Sequence, residues 1–218
     1  TINHTPHGAE VIYNDTKTGQ TKRKTADFCV SSLPLSVLAR IKTNFSAPIK
    51  QAIQQTQFVP TCKVGWQAEK RFWEEPEEQI YGGITWTQRE ITQIWYPSND
   101  YFAEKGVLVG AYNFGRTAIQ FGNLSPKARL TAARESARRI HPRFDDFVFQ
   151  GVSIAWHKVP YQLGGWAYWT GQEHIYNQLL QPEGNIFLCG DQLSHLPGWQ
   201  EGAILSAHQV VREISQRS

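Results

Sequence analysis

A carboxylate and a glycine-tryptophan pair flank the start of a predicted helix near the C-terminal end of the sequence. The apolar run 186–189 ends at Gly190 and Asp191, and a helical pattern begins just after Gly198 and Trp199. The free N–H groups of a helix N-terminus attract anions and electron-rich groups. A strand that ends on a carboxylate beside such a terminus is therefore suited to a bound polyol and an electron-rich ring.

Lys63 is the second residue whose position suggests chemistry. It lies between Cys62 and Val64 in the segment 60–73, whose alternating pattern predicts a strand. A charge in the middle of a strand is costly to bury unless it has a partner. Two interpretations stay open: a buried functional lysine, or an outward-facing lysine on an edge strand.

Several common types of site are not indicated by the sequence. It contains no G-x-G-x-x-G or G-x-x-x-x-G-K loop, so this chain by itself is not expected to cradle a pyrophosphate in the usual way. A serine nucleophile is not expected either, because G-x-S-x-G is absent. The seven histidines show no i, i+4 pairing, and no metal site is predicted.

The composition limits the class of protein. A formal net charge of +3 over 218 residues is too small to argue for nucleic-acid binding, and no apolar run reaches the roughly 18 residues of a membrane span. The basic stretch 127–139 is expected to form the solvated face of a helix. The three cysteines, Cys29, Cys62 and Cys189, lie in apolar segments typical of buried thiols.

The cellular compartment stays open. Short N-glycosylation sequons often arise by chance, and four occur here, at Asn3, Asn14, Asn44 and Asn123. The sequence contains no methionine and begins as though inside a strand. We therefore expect a processed chain, or one piece of a longer polypeptide.

The periodicity predicts an α/β (α+β) chain. Strands are expected in a hairpin around the turn 16–21, then over 26–34, 60–73, 91–98, 106–115 and from about 146 to 156. Helices are expected over 33–41 and 47–58, from the N-cap Ser125 to just before Pro142, and over 199–215. The element order predicts that residues 1–55 and 180–218 belong to one domain and residues 56–179 to another.

Five segments together resemble the flavin-containing amine oxidases, and most closely their L-amino-acid oxidase and amino-acid monooxygenase subgroup. In family order they are TADFCVSSLP (25–34), CKVGWQAEKRFWE (62–74), GVLVGAYNFG (106–115), AWHKVPYQLGGWAYW (155–169) and IFLCGDQLSHLPGWQEGAILSA (186–207). The last resembles the family's C-terminal flavin-binding signature, with Asp191 in place of the usual glutamate. The resemblance implies the C-terminal part of a two-domain flavoenzyme: a Rossmann-like FAD-binding domain completed by another segment, and a mixed β-sheet substrate-binding domain.

The resemblance also implies roles for individual residues. Lys63 corresponds to the active-site lysine that holds a water near the flavin. The residues expected to contact FAD are Trp156, Tyr161, Gly164, Gly165, Gly190, Asp191, Gln200 and Ala203. The residues expected to contact the substrate are Tyr112, Trp166, Gly198 and Trp199. Asp191 would accept hydrogen bonds from the ribityl hydroxyls, and Gln200 would offer its backbone N–H to the ring. For each of these the plainer interpretation, a core aromatic or a turn residue, stays open.

The implied activity is FAD-dependent oxidative deamination of L-amino acids to keto acid, ammonia and hydrogen peroxide, with O2 as electron acceptor. Three alternatives stay open: oxidative decarboxylation to an amide, oxidation of a simple amine, and a non-catalytic flavoprotein subunit. The family's Gly-rich motif and its carboxylate-binding arginine lie upstream, so a second polypeptide segment or chain is expected to supply both. A homo-oligomer of the full enzyme is expected, without nucleic acid or membrane as partners.

Overall fold

The computed structural model describes residues 1–217, which form two compact units. The first unit combines residues 1–59 with the chain from Pro160 onward, and the second comprises Pro60–Val159. The predicted division differs mainly at residues 160–179, which the sequence assigned to the middle domain. They belong to the first unit because Ile175 and Leu179 are buried in the same core as Ile49 and Ile53. The assignment of FAD and substrate binding to the two units stays a prediction.

The helices and strands follow one another along the chain in a mixed α and β order. The strands are β1 (Ile2–Thr5), β2 (Gly8–Asn14), β3 (Thr21–Ala26), β4 (Cys29–Ser31), β5 (Gln57–Phe58), β6 (Thr61–Ala68), β7 (Gly83–Trp86), β8 (Gln93–Tyr96), β9 (Gly106–Phe114), β10 (Val148–Ala155), β11 (Ala167–Tyr168) and β12 (Ile186–Leu188). The helices are α1 (Leu35–Leu38), α2 (Ala47–Gln55), α3 (Gly115–Gly122), α4 (Pro126–Arg138), α5 (Phe144–Phe147), α6 (Glu173–Leu179) and α7 (Gln200–Ser215). Among residues 1–217, no helix combines the length and apolar character needed to cross a bilayer.

The first unit contains three small sheets. Strands β1, β2 and β3 form an antiparallel sheet, β5 pairs with β11, and β4 pairs in parallel with β12. The predicted hairpin is confirmed as β2–β3, with its turn at 15–20. The strand expected over 26–34 is shorter than predicted. Only Cys29–Ser31 pairs with β12, because the chain leaves the ladder before Pro34.

The core of the first unit lies between α1, α2, α6 and the parallel pair. Ile49 and Ile53 in α2 are four residues apart and so share one helix face. They pack in one cluster with Leu35, Leu38 and Ile186. On the other side of β12, Phe187 packs with Val210 of α7. β12 is therefore buried on both faces, as strands of parallel sheets usually are.

The second unit is built on a five-stranded sheet in the order β10-β6-β9-β8-β7. The sequence predicted a mixed sheet here, but every described strand pair is antiparallel. The side chains of β6 alternate: Cys62, Val64 and Trp66 are fully buried, whereas Lys63 and Gly65 are partly exposed. The predicted period-2 pattern of this strand is confirmed, and Lys63 is assigned to the more open face.

Helix α4 begins as predicted, with Ser125 as its N-cap: the Ser125 hydroxyl accepts a hydrogen bond from the Ala128 N–H at 3.2 Å. The expectation that the basic stretch 127–139 is a solvated face is wrong for Arg129. Its guanidinium is buried and donates to the Ser153 hydroxyl and to the carbonyls of Gly122 and Leu124. A buried charge is tolerated there because each of these bonds satisfies a donor.

The predicted thiols are confirmed as free cysteines. Cys62 and Cys189 are buried and Cys29 is half-buried. Burial raises the pKa of all three thiols, which keeps them protonated at neutral pH.

Candidate active site

A tight loop joins the end of β12 to the start of α7, and we call residues 190–202 the C-terminal corner. Asp191 Oδ2 accepts a hydrogen bond from the Gly198 N–H at 2.7 Å, which closes the loop. The Asp191 carbonyl accepts a bond from the Ser194 hydroxyl at 2.7 Å, and that hydroxyl accepts one from the Leu196 N–H at 3.0 Å. The corner is thus held together by its own polar groups.

Glycines are required at two positions of the corner for different reasons. Gly198 has a φ of +85°, a left-handed conformation that disfavours other residues. Gly202 has ordinary helical geometry, but a Cβ there would lie 2.3 Å from the Leu196 carbonyl oxygen and 2.4 Å from Ser194 Oγ. The first turn of α7 therefore packs directly against the loop that precedes it.

Two residues that the sequence analysis missed fix the corner to the rest of its unit. The buried Gln192 side chain accepts a hydrogen bond from the Leu35 N–H and donates one to the Leu33 carbonyl, both at 2.8 Å. The Ser206 hydroxyl, on α7, accepts a bond from the Gly190 N–H at 3.2 Å. The sequence signals such a role only for Ser206, a polar residue in an apolar helical stretch, and it does not specify the partner; Gln192 lies in a polar loop and gives no signal.

The start of α7 carries unsatisfied donors. Trp199 is the N-cap residue, and no side chain caps the helix within residues 1–217. The N–H groups of Gln200, Glu201 and Gly202 have no acceptor inside the helix, because these are its first three residues. The next donor, the Ala203 N–H, already bonds to the Trp199 carbonyl at 3.3 Å. The Gln200 backbone N–H is therefore free to bind a ligand, and its contact with the flavin ring stays a prediction; the Ala203 N–H is not free.

The segment 160–168 in the same unit contains four of the predicted contacts. Tyr161 is 81% exposed, and Gly164 is buried with no room for a Cβ, which would lie 2.5 Å from the Phe58 Cβ. The Gly165 N–H donates to the Val59 carbonyl at 2.8 Å. Trp166 packs over Gly198, whose Cβ position is 3.2 Å from the Trp166 Cβ. The structure thus brings Trp166 to the corner. Packing against Phe58 explains why residue 164 is a glycine, whether or not a ligand binds there.

In the second unit, Lys63 and Tyr112 are direct partners across β6 and β9. The Lys63 Nζ lies 4.2 Å from the centre of the Tyr112 ring, a cation–π distance. Burial lowers the pKa of the Lys63 ammonium and raises the pKa of the Tyr112 phenol. Neither polar end has a hydrogen-bond or ion-pair partner among the described residues. An unpaired cation beside an unpaired phenol is available for a ligand.

Two further aromatic residues extend this surface, and we call the four side chains Lys63, Trp95, Tyr112 and Phe114 the Lys63 face. The ring centroids of Trp95 and Tyr112 are 5.7 Å apart, and those of Tyr112 and Phe114 are 4.5 Å apart. The Trp95 indole N–H donates to Gln93 Oε1 at 2.5 Å, which fixes its ring. The roles of Trp95 and Phe114 were not predicted from the sequence, since cross-strand neighbours depend on register. Trp156, a predicted FAD contact, follows β10 in this unit and is half-buried.

The first unit fits the FAD expected from the sequence. At the carboxyl ends of the parallel pair β4–β12, the buried Ser31 hydroxyl has no hydrogen bond within the described chain. Close by, the Cys189 N–H bonds to the Ser31 carbonyl at 3.0 Å, and the uncapped start of α7 follows the loop. Ligands of such folds bind at the carboxyl ends of parallel strands. Asp191, Ser31 and the start of α7 could therefore hold FAD.

Comparison with known proteins agrees with this fit. The sequence profile of the flavin containing amine oxidoreductases matches residues 1–215. YobN of Bacillus subtilis (strain 168), whose name assigns it provisionally to the L-amino-acid oxidases, is 29% identical over 201 residues, 88% of this chain and 41% of its own. The flavin-dependent L-tryptophan oxidase RebO of Lentzea aerocolonigenes is 26% identical over 198 residues, 87% of this chain and 41% of its own. The chain thus spans about two fifths of the length of these relatives.

Solved structures support the fold. A triple mutant of putrescine oxidase has a TM-score of 0.83 at 18% identity, covering all of this chain and 48% of its own. Cyclohexylamine oxidase from Brevibacterium oxydans IH-35A has a TM-score of 0.80 at 15% identity, covering 99% and 47%. The fold is the mixed α/β fold of flavin amine oxidases, and the family implies FAD as the cofactor. The chain belongs to the family of flavin-containing amine oxidoreductases.

Proposed function

We propose that this chain is the C-terminal part of an FAD-dependent oxidase that deaminates L-amino acids to keto acid, ammonia and hydrogen peroxide. The observation that carries the proposal is the sequence match to an L-tryptophan oxidase across 87% of the chain. The unsatisfied polar groups of the C-terminal corner and of the Lys63 face support it, because both kinds of group are what a bound cofactor and substrate require.

The C-terminal corner orients the cofactor in this proposal. Asp191 keeps one carboxylate oxygen on the Gly198 N–H and offers the other to the ribityl hydroxyls. The N–H groups at the start of α7 stabilise negative charge at the ring. When bound, FAD accepts the two electrons released by oxidation of the amine. Gly198 packs against Trp166, and its carbonyl would accept a hydrogen bond from the substrate amine.

The Lys63 face acts on the substrate and on water. The Tyr112 phenol would donate a hydrogen bond to the substrate carboxylate, and its raised pKa keeps it protonated for that purpose. The Lys63 ammonium would hold a water molecule beside the reacting carbon, ready for hydrolysis of the imino acid. No side chain has to act as a strong base, because the aromatic walls and hydrogen bonds only position the neutral amine.

A second polypeptide segment is part of the proposal, because the parallel pair β4–β12 is only two strands wide. Two-stranded sheets are marginal by themselves, and parallel sheets are normally covered on both faces. Val30 on β4 is 47% exposed, and Ile204 and Val211 on α7 are 51% and 62% exposed. A further polypeptide segment packed on these positions would cover the exposed apolar side chains. That segment would also supply the Gly-rich motif and the carboxylate-binding arginine.

Purification of the chain together with the polypeptide that accompanies it tests the proposal. The preparation should be yellow, should lose its colour when an L-amino acid is added without oxygen, and should release peroxide in air. A panel of the twenty amino acids identifies the substrate. An amide and carbon dioxide would indicate a monooxygenase, and an aldehyde would indicate a simple amine oxidase. A colourless protein that takes up no added FAD would contradict the proposal, and native mass measurement tests for the homo-oligomer.

A further inference from the structure

A cavity of about 510 Å³ in the first unit is lined mostly by residues that the proposed mechanism does not use. Its walls carry the aromatic rings of Trp166, Tyr168, Trp169 and Tyr176, and its rim includes Glu173 and His195. We call it the aromatic pocket. Its size is within the range of pockets that bind small organic molecules.

The walls of the aromatic pocket are fixed before any ligand arrives. The Trp169 indole N–H donates to the Gln192 carbonyl at 2.7 Å. The Tyr176 ring stands edge-on to the Trp169 ring at 5.4 Å and lies 6.0 Å from the His195 ring. Rings held in this way lose little conformational entropy when a ligand binds.

The rim of the aromatic pocket carries one carboxylate, that of Glu173, and one imidazole, that of His195. Among the described lining residues, Glu173 is the one carboxylate, and neither lysine nor arginine is present. Glu173 Oε1 accepts a hydrogen bond from the Gly171 N–H at 3.0 Å, which holds the carboxylate at the first turn of α6. The backbone N–H groups of Glu173 and Gly171 lower the pKa of this carboxyl, so it is ionised at neutral pH. Glu173 is exposed at the rim, where it can meet an incoming cation.

We infer that the aromatic pocket binds an organic ammonium group, and that it selects L-amino acids whose side chains end in a cation. Aromatic ring faces attract ammonium groups, and a carboxylate at the rim adds an opposite charge. The lining of the pocket includes Trp166, which packs over Gly198 of the C-terminal corner, the residue expected to meet the substrate amine. The inference rests on the proposed function for its substrate, but binding of a cation does not require turnover.

Isothermal titration calorimetry on the FAD-loaded protein, with its accompanying polypeptide, tests binding alone. Choline is the probe, and its uncharged analogue with a tert-butyl group in place of trimethylammonium is the control ligand. We expect choline to bind and the analogue to bind at least about fivefold more weakly. Glu173→Gln should weaken choline binding about threefold to fivefold, as expected for an exposed charge. Glu77→Gln removes an exposed carboxylate of the other unit and should change nothing.

Steady-state kinetics then test selection. Glu173→Gln should lower kcat/KM for L-lysine and L-arginine about threefold to fivefold, through KM, and leave L-leucine within about twofold. Equal effects on all three amino acids, or choline binding no tighter than its analogue, would overturn the pocket assignment while leaving the oxidase proposal intact. Glu173-dependent choline binding in a protein that oxidises no amino acid would support the pocket assignment and contradict the oxidase proposal.

Discussion

The C-terminal corner and the Lys63 face offer free polar groups in opposite ways. In the corner, side chains bond to backbone groups of the same loop, so that the free donors are the backbone N–H groups of α7. On the Lys63 face the backbone is paired in the sheet, and the free groups are the ends of Lys63 and Tyr112. Ligand binding at the corner should therefore depend on the backbone conformation. Ligand binding at the Lys63 face should depend on the chemical groups of its side chains.

Gly202→Ala should have the largest effect, because the added methyl group would distort the backbone of the corner. The added Cβ would meet the Leu196 carbonyl oxygen at 2.3 Å, and backbone cannot move aside cheaply. We expect the free energy of unfolding to fall by about 2 to 3 kcal/mol and FAD to be lost on gel filtration. Urea titration and visible absorbance measure the two effects.

The control for that variant is Gly19→Ala in the β2–β3 turn. No atom lies within 4 Å of the added Cβ there, so only the left-handed φ of +71° opposes it. Its cost should be about 1 kcal/mol, with FAD retained. If both variants lose the same stability and the same FAD, the close packing of α7 on its loop is not what the cofactor needs.

Lys63→Met should have the next largest effect, and a different one. The methionine keeps most of the length of the side chain and removes its charge, so turnover should fall on the order of tenfold to a hundredfold through misplaced water. FAD content should stay unchanged, because the Lys63 face offers the cofactor no backbone donors. Stopped-flow reduction and reoxidation locate the affected step. Lys24→Met, on the exposed strand β3, is the matched control and should turn over normally.

Ser31→Ala should have a smaller effect with opposite signs in two assays. The buried hydroxyl has no partner in the described chain, so its removal should leave the FAD-free protein as stable or up to about 1 kcal/mol more stable. If FAD supplies the missing bond, the same change should weaken FAD binding about threefold to tenfold. Ser32→Ala, at an exposed position, should alter neither quantity. Loss of stability without loss of affinity would remove Ser31 from the cofactor site.

The sequence predicted the corner better than the Lys63 face for a physical reason. The corner is closed by contacts within 190–202, so its glycines, its carboxylate and the helix start all appear in one motif. The Lys63 face joins strands about 50 residues apart, and Trp95 reaches it only through the register of β8 on β9. The short helices α3 and α6 were missed because a few residues give too weak a periodic signal. Arg129 was taken for a surface residue because its acceptors, two carbonyls and the Ser153 hydroxyl, are not revealed by the sequence pattern.

The smallest expected effect is the pH dependence of the Lys63 contribution to stability. Burial lowers the pKa of Lys63 in the folded state below its value in the unfolded chain, about 10.4. Below the folded pKa, both states are protonated and the folded state bears the cost of the buried charge. Between the two pKa values the unfolded chain binds more protons, so stability rises with pH until the cost disappears.

Lys63→Met should therefore be more stable than the wild type at neutral pH, and the gap should narrow as the pH rises through the alkaline range. Urea titrations of both proteins at matched pH values measure the gap, with Lys24→Met as the reference for an exposed lysine. Reductive methylation with a carbon-13 label adds a direct readout, since the Lys63 resonance should titrate at lower pH than the others. A stability difference between the two proteins that is independent of pH would mean that Lys63 is solvated. The Lys63 face would then lack the desolvated cation that distinguishes it from the corner.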